Sequence, residues 1–138
     1  MSIGPDTFVL SLGGSLVYPP TGIDIEFLKA FNVFIRDQIS SKKRRFFIVV
    51  GGGAITRQYQ AAAQAVRAHD IENIELDWLG IHATRLNGHL LRTIFQDIAH
   101  PRIIEDYAHR LVNWHEPIVI GTGWKPGWST DYDAVILA

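Results

Sequence analysis

The sequence predicts an α/β domain built on a mainly parallel sheet, and three observations carry that prediction. Short apolar, β-rich runs alternate with longer segments of helical periodicity, as in βαβ units. The run FFIVV at 46–50 is apolar without interruption, as in a strand covered on both faces. Three such runs also lead into glycine turns: Gly13-Gly14, Gly51-Gly52-Gly53, and the GTG of 121–123.

In chain order, TFVLSL at 7–12 is a strand feeding the first glycine turn. Residues 24–41 place Phe27, Phe31, Phe34 and Ile35 at helical spacing, with Asp24 available as N-cap. The basic cluster Lys42–Arg45 then reads as a solvated turn into the strand at 46–50. Residues 54–69 are alanine-rich and helical. A long helix is expected over about 76–99, and residues 102–113 fit no single state. PIVIG at 117–121 is a third strand, and a helix opens at Ser129 or Thr130. The closing STDYDAVILA has a good cap but stops at Ala138 with no C-cap glycine, basic last turn or polar tail. It reads as a chain cut inside a helix.

The bulk numbers restrict the function. A chain of 138 residues, 47% hydrophobic and 20% charged, suits one ordinary soluble domain, taken as residues 1–138. A net charge of −1 argues against a dedicated nucleic-acid binder. With no cysteine there is no disulfide framework and no thiol nucleophile. The N-terminus lacks a basic leader, and Ser11, Gly13 and Gly14 break its apolar run, so neither a signal peptide nor a membrane span is expected. These features suggest a cytoplasmic protein. The six histidines are scattered, and His82 and His89 lack a third nearby ligand, so no metal site is expected.

Glycines that follow a parallel strand let the backbone approach a ligand and leave N–H groups at the next helix free for an anion. The same glycines also suit a bare tight turn. Arg57 weighs on that choice. It sits in the first turn of a helix without acidic residues, where the macrodipole disfavours a cation by about 0.3–1 kcal/mol. A bound phosphate would supply the missing negative charge, while a solvated arginine is the alternative. LSLGGS at 10–15 repeats the pattern and adds Ser15, and GTGWKPGWSTD at 121–131 repeats it again. Neither a Walker A loop nor a G-x-G-x-x-G fingerprint is present. From spacing alone, Asp77 is a carboxylate favoured by the helix dipole.

Taken in order, VLSLGGSL (9–16), FFIVVGGGAITRQY (46–59), DWLGIHATRLNGHLL (77–91) and GWKPGWSTDYDAVILA (123–138) resemble the amino acid kinase superfamily, and within it the archaeal type of uridylate (UMP) kinase. Relatives acting on isopentenyl phosphate typically carry histidine after the glycine loop, where this chain has Arg57. The resemblance implies a three-layer αβα sandwich with an acceptor half and an ATP half, of which this chain would hold the acceptor half. It implies that Gly52, Gly53 and Arg57 hold the UMP phosphate and that Asp77 binds the ribose. Thr122, Ser129 and Thr130 would embrace the nucleotide, and Gly13, Gly14 and Ser15 would approach the transferred phosphoryl group. Asp131 matches the aspartate that organises catalytic lysines. ATP with Mg2+ is the implied donor, and a homo-oligomer, a dimer or a hexamer of dimers, is implied through helices like 77–98. Ser11 stands where many members have lysine, a lack shared by the archaeal-type enzymes. The expected reaction is phosphoryl transfer from ATP to UMP, giving UDP, weak or absent in this chain alone. A non-catalytic nucleotide- or oxyanion-binding module, or a kinase for another small acceptor, are the alternatives.

Overall fold

A computed structural model describes residues 6–108 and 114–130. Strand β1 (Thr7–Leu12) is followed by the one-turn helix α1 (Gly14–Val17) and by α2 (Ile25–Lys42). Strand β2 (Arg45–Val50) leads to α3 (Ala54–Val66), α4 (Asn73–Ile94) and β3 (Ile118–Gly121). The sheet order is β1-β2-β3 with both pairings parallel, so the chain has the α/β architecture and parallel sheet that its sequence predicts. Register aligns Leu12 with Val50 and Val49 with Gly121, so all three strands deliver their glycine turns to one edge. Among the described residues, no helix is long and apolar enough to cross a membrane.

The uninterrupted apolar run of β2 has the cause the sequence suggested. Phe46, Ile48 and Val50 face a core made with Leu28 and Ile35 of α2 and Leu91 of α4, joined by Phe95 just beyond α4. Phe47 and Val49 face the opposite side, where Ile104, Trp114 and Val119 cover them. Asp24 caps α2 by accepting from the Phe27 amide at 2.9 Å. Phe27 and Phe31 pack against the core, but Phe34 stays 54% exposed. It lies about 100° round the helix from fully buried Ile35.

Other boundaries differ from expectation for local reasons. Helix α3 ends at Val66, and Ala68 and His69 both adopt positive φ. Helix α4 begins at Asn73 and ends at Ile94. Ala99 pairs with Ile118 and the His100 amide donates to the Ile118 carbonyl at 2.8 Å, so the chain leaves the helix to run beside β3. Ile104 makes a second parallel bridge, to Gly121. The basic cluster is not a simple solvated turn. Lys43 closes α2 in the left-handed region, and the guanidinium of Arg44 lies 5.2 Å from the Phe8 ring centroid. Arg45, already in β2, lies 4.3 Å from the centroid of Trp114. The expected helix after Thr130 falls outside the described residues.

Two glycine turns lock together at the carboxyl edge of the sheet. A Cβ on Gly14 would stand 2.5 Å from the Gly51 carbonyl carbon and 2.6 Å from the Gly52 nitrogen, so only glycine fits. Gly53 has φ of +70°, and a Cβ there would meet the Tyr18 carbonyl oxygen at 2.7 Å. The lock is tied by Gly51 N–H to the Leu12 carbonyl (3.0 Å) and Ala54 N–H to the Tyr18 carbonyl (2.8 Å). Behind it, the amide of buried Asn87 on α4 donates to the carbonyls of Gly51 (3.0 Å) and Gly52 (2.9 Å). Where α2 meets the end of α4, Arg36 of α2 grips Asp97 through two 2.8 Å hydrogen bonds and donates to the Ile94 carbonyl. The hydrogen bonds from Arg36 hold the Asp97 carboxyl below its ordinary range.

Gly14→Ala is therefore expected to cost at least the roughly 1–3 kcal/mol of an overpacked site, read as a lowered denaturation midpoint. Asn87→Asp, which points acceptors at two carbonyls, is expected to lower the midpoint more than Asn87→Ala. Asp97→Asn should be less stable than the parent at neutral pH. Because folding depresses the Asp97 pKa, its contribution is complete above the unfolded value near about 4 and is lost as pH falls through the lower folded value. Urea midpoints of the two proteins should accordingly converge below that range.

Candidate functional site

A cleft of about 440 Å³ opens at the carboxyl edge of the sheet, between α3, α4 and the loop 123–130. Helix periodicity explains its walls. On α4, Asp77, Gly80, Ile81 and Thr84 recur at three- and four-residue intervals and so share one face. On α3, Thr56 and Gln60 are likewise four apart and face it from the other side. Gly80 lets the helices approach: a Cβ there would lie 3.2 Å from Thr56 Cγ2. Gln60 spans the same gap, its amide donating to the Leu76 carbonyl at 2.9 Å.

The loop is held at three points along α4. The Gly123 amide donates to Thr84 Oγ1 at 2.7 Å, and the Gly127 amide donates to Asp77 Oδ2 at 3.2 Å. At the root of the loop, Gly88 makes room for Thr122, whose Cγ2 a Cβ on residue 88 would strike. The loop also carries an aromatic cluster. Trp124 and Trp128 meet edge to face with centroids 4.6 Å apart, and Tyr107 packs on Trp124 at 5.9 Å.

The cleft brings together many of the residues singled out from sequence. Gly52, Asp77, Ser129 and Thr130 line it, and Gly53 adjoins it as the residue before α3. Thr130 Oγ1 would lie 3.6 Å from a Cβ on Gly51, so the loop returns to the glycine turn. Gly13, Gly14 and Ser15 sit on the adjoining turn, with Gly14 buried in the lock and Gly13 open. Arg57 lies in the first turn of α3 as expected, but it is exposed and outside the lining. That turn has neither an acidic residue nor a side-chain cap. Thr122 is fully buried, and its hydroxyl donates to the Ile104 carbonyl at 3.4 Å, so it stands behind the cleft. Asp131 lies outside the described residues.

Sequence reasoning missed the residues that organise these loops. Thr84 and Asn87 are buried polar side chains whose partners are backbone groups of distant turns, a relationship no local pattern reveals. Thr56 has a buried hydroxyl oxygen with no hydrogen-bond partner among the described residues, in the wall beside Gly52. Among the described residues that line the cleft, Lys125 is the one cation. Among the described residues, no group of three or more His, Asp or Glu side chains gathers to hold a metal ion.

Comparison with known proteins agrees with this geometry. The family model of the amino acid kinase family matches residues 6–123. The uridylate kinase of Methanosarcina acetivorans is 39% identical over 132 residues, covering 94% of this chain and 53% of that protein. The uridylate kinase of Thermococcus onnurineus is 32% identical over 132 residues, with 94% and 56% covered. The crystal structure of uridylate kinase from Archaeoglobus fulgidus superposes with a TM-score of 0.73 at 30% identity, covering 96% of this chain and 57% of that one. The chain thus spans about half the length of the relatives it matches. On its glycine turns, parallel sheet and matched span, the chain belongs to the amino acid kinase family.

Proposed function

We propose that this chain forms the acceptor half of a UMP kinase of the cytoplasm. The observation that carries the reading is the polarity of its cleft. One end presents the N-terminus of α3, which has no side-chain cap, behind Gly52 and Gly53, where the helix dipole favours a phosphate. The other end presents Asp77, a carboxylate able to accept from ribose hydroxyls.

In this reading Thr56, Ser129 and Thr130 donate hydroxyls to the phosphate, and Arg57 swings in from the adjoining face of α3 to neutralise it. Asp77 exchanges the Gly127 amide for a ribose hydroxyl, or keeps it on one oxygen and uses the other. Gly13, Gly14 and Ser15 border the path of the transferred group and let it approach the backbone. ATP with Mg2+ supplies that group when bound, and we place its site in the portion of the family fold beyond the matched span. Catalysis is by positioning and charge neutralisation, with the acceptor oxygen in line.

The expected assembly is a dimer. The outer face of α3 and α4 exposes Tyr59 at 59% and Leu86 at 62% beside an apolar groove of about 190 Å³, a surface suited to a second copy.

Calorimetry with UMP, CMP, isopentenyl phosphate and ATP tests the reading: UMP is expected to bind, and Thr56→Val or Asp77→Ala to weaken it about tenfold, or 1.4 kcal/mol. Oxyanion binding with no preference for UMP contradicts it. Sedimentation should find a dimer that Leu86→Glu converts to monomer.

A further inference from the structure

The remaining unexplained feature of the cleft is Lys125. Its ammonium nitrogen lies 4.3 Å from the centroid of Trp124 and 4.6 Å from that of Trp128. Both distances are within cation–π range. Among the described residues it has no ion-pair partner, and the two indoles hold its position. Lys125 and Trp128 both line the cleft.

The position of this group identifies the part of a ligand it meets. The glycine turn touches α4 at Ala83, where a Cβ on Gly52 would lie 3.3 Å from Ala83 Cβ. The tip of the loop touches α4 at Asp77, through Gly127. Those contacts are about 9 Å apart along the helix, at 1.5 Å per residue. If phosphate sits at the glycine turn and ribose at Asp77, the base end of a nucleotide falls to the loop tip that carries Lys125 and Trp128.

We infer that Lys125, positioned by Trp124 and Trp128, is a specificity-determining residue that selects a pyrimidine with a carbonyl rather than an amino group at its outer edge. The inference rests on the acceptor-site reading above. A lysine ammonium offers three donors and no acceptor, so it complements the carbonyl oxygens of uracil. The amino group of cytosine would face the exposed Lys125 donor to donor, an unfavourable pairing that uracil avoids. The indoles have two effects: they fix the long lysine stem before the ligand arrives, and they offer an aromatic surface to the base.

The test is calorimetry with UMP, CMP and ribose 5-phosphate on the parent chain, Lys125→Met and Lys125→Arg. Methionine keeps the unbranched stem against the indoles and removes the donors. The parent is expected to prefer UMP over CMP by at least about tenfold. In Lys125→Met, UMP affinity should fall about tenfold while CMP and ribose 5-phosphate are unchanged, closing the gap. Lys125→Arg should retain most of the preference. Equal loss for UMP, CMP and ribose 5-phosphate overturns the inference, because Lys125 then only orders the loop. An undiminished preference in Lys125→Met also overturns it, with the acceptor reading intact. Failure of the parent to bind UMP overturns both.

Discussion

The site depends on the contact between two stretches of bare backbone. Gly14 and the 51–53 turn pack so closely that neither tolerates a side chain at the contact, and Gly53 also needs a left-handed backbone. Because β1 and β2 end in register, this lock forms at the level where the strands run out. It fixes the start of α3, and thereby the direction of the helix whose N-terminus faces the cleft. The glycines thus have a structural duty that precedes any ligand.

Helix α4 is the second organising element. It meets the glycine turn through Asn87 and the loop 123–130 through Thr84 and Asp77, each using a side chain to hold backbone. Polar groups buried for this purpose are satisfied, so their removal leaves orphaned carbonyls and amides in the wall of the cleft. The same helix contributes Gly80 and Gly88 where neighbours must come close. One helix face therefore sets the width of the cleft, the path of the loop and the position of the carboxylate.

Much of the fold was legible because its signals are local. The apolar run of β2, the Asp24 cap and the glycines after each strand follow from short-range chemistry, and the parallel sheet follows from their alternation. What escaped was set by tertiary contact. The end of α4 could not be read because its last expected turn is taken by bridges to β3. Arg44 and Arg45 looked like a solvated charge run until Phe8 and Trp114 gave them ring faces. Thr122, which the family resemblance places around the nucleotide, is buried in this structure with its hydroxyl on the Ile104 carbonyl. The proposed role of Arg57 rests on a charge argument in sequence and on a helix start without an acidic residue or a side-chain cap in structure.

The central claim is that the cleft between α3, α4 and the 123–130 loop is the seat of UMP. Its most direct test is a titration of UMP followed by amide chemical shifts in a 15N-labelled chain. The account predicts saturable shifts concentrated at Gly51–Thr56, Asp77–Thr84 and Gly123–Thr130, with α2 and β1 little affected. Shifts confined to the outer apolar groove of α3 and α4, or none at UMP concentrations that saturate related acceptors, would contradict it.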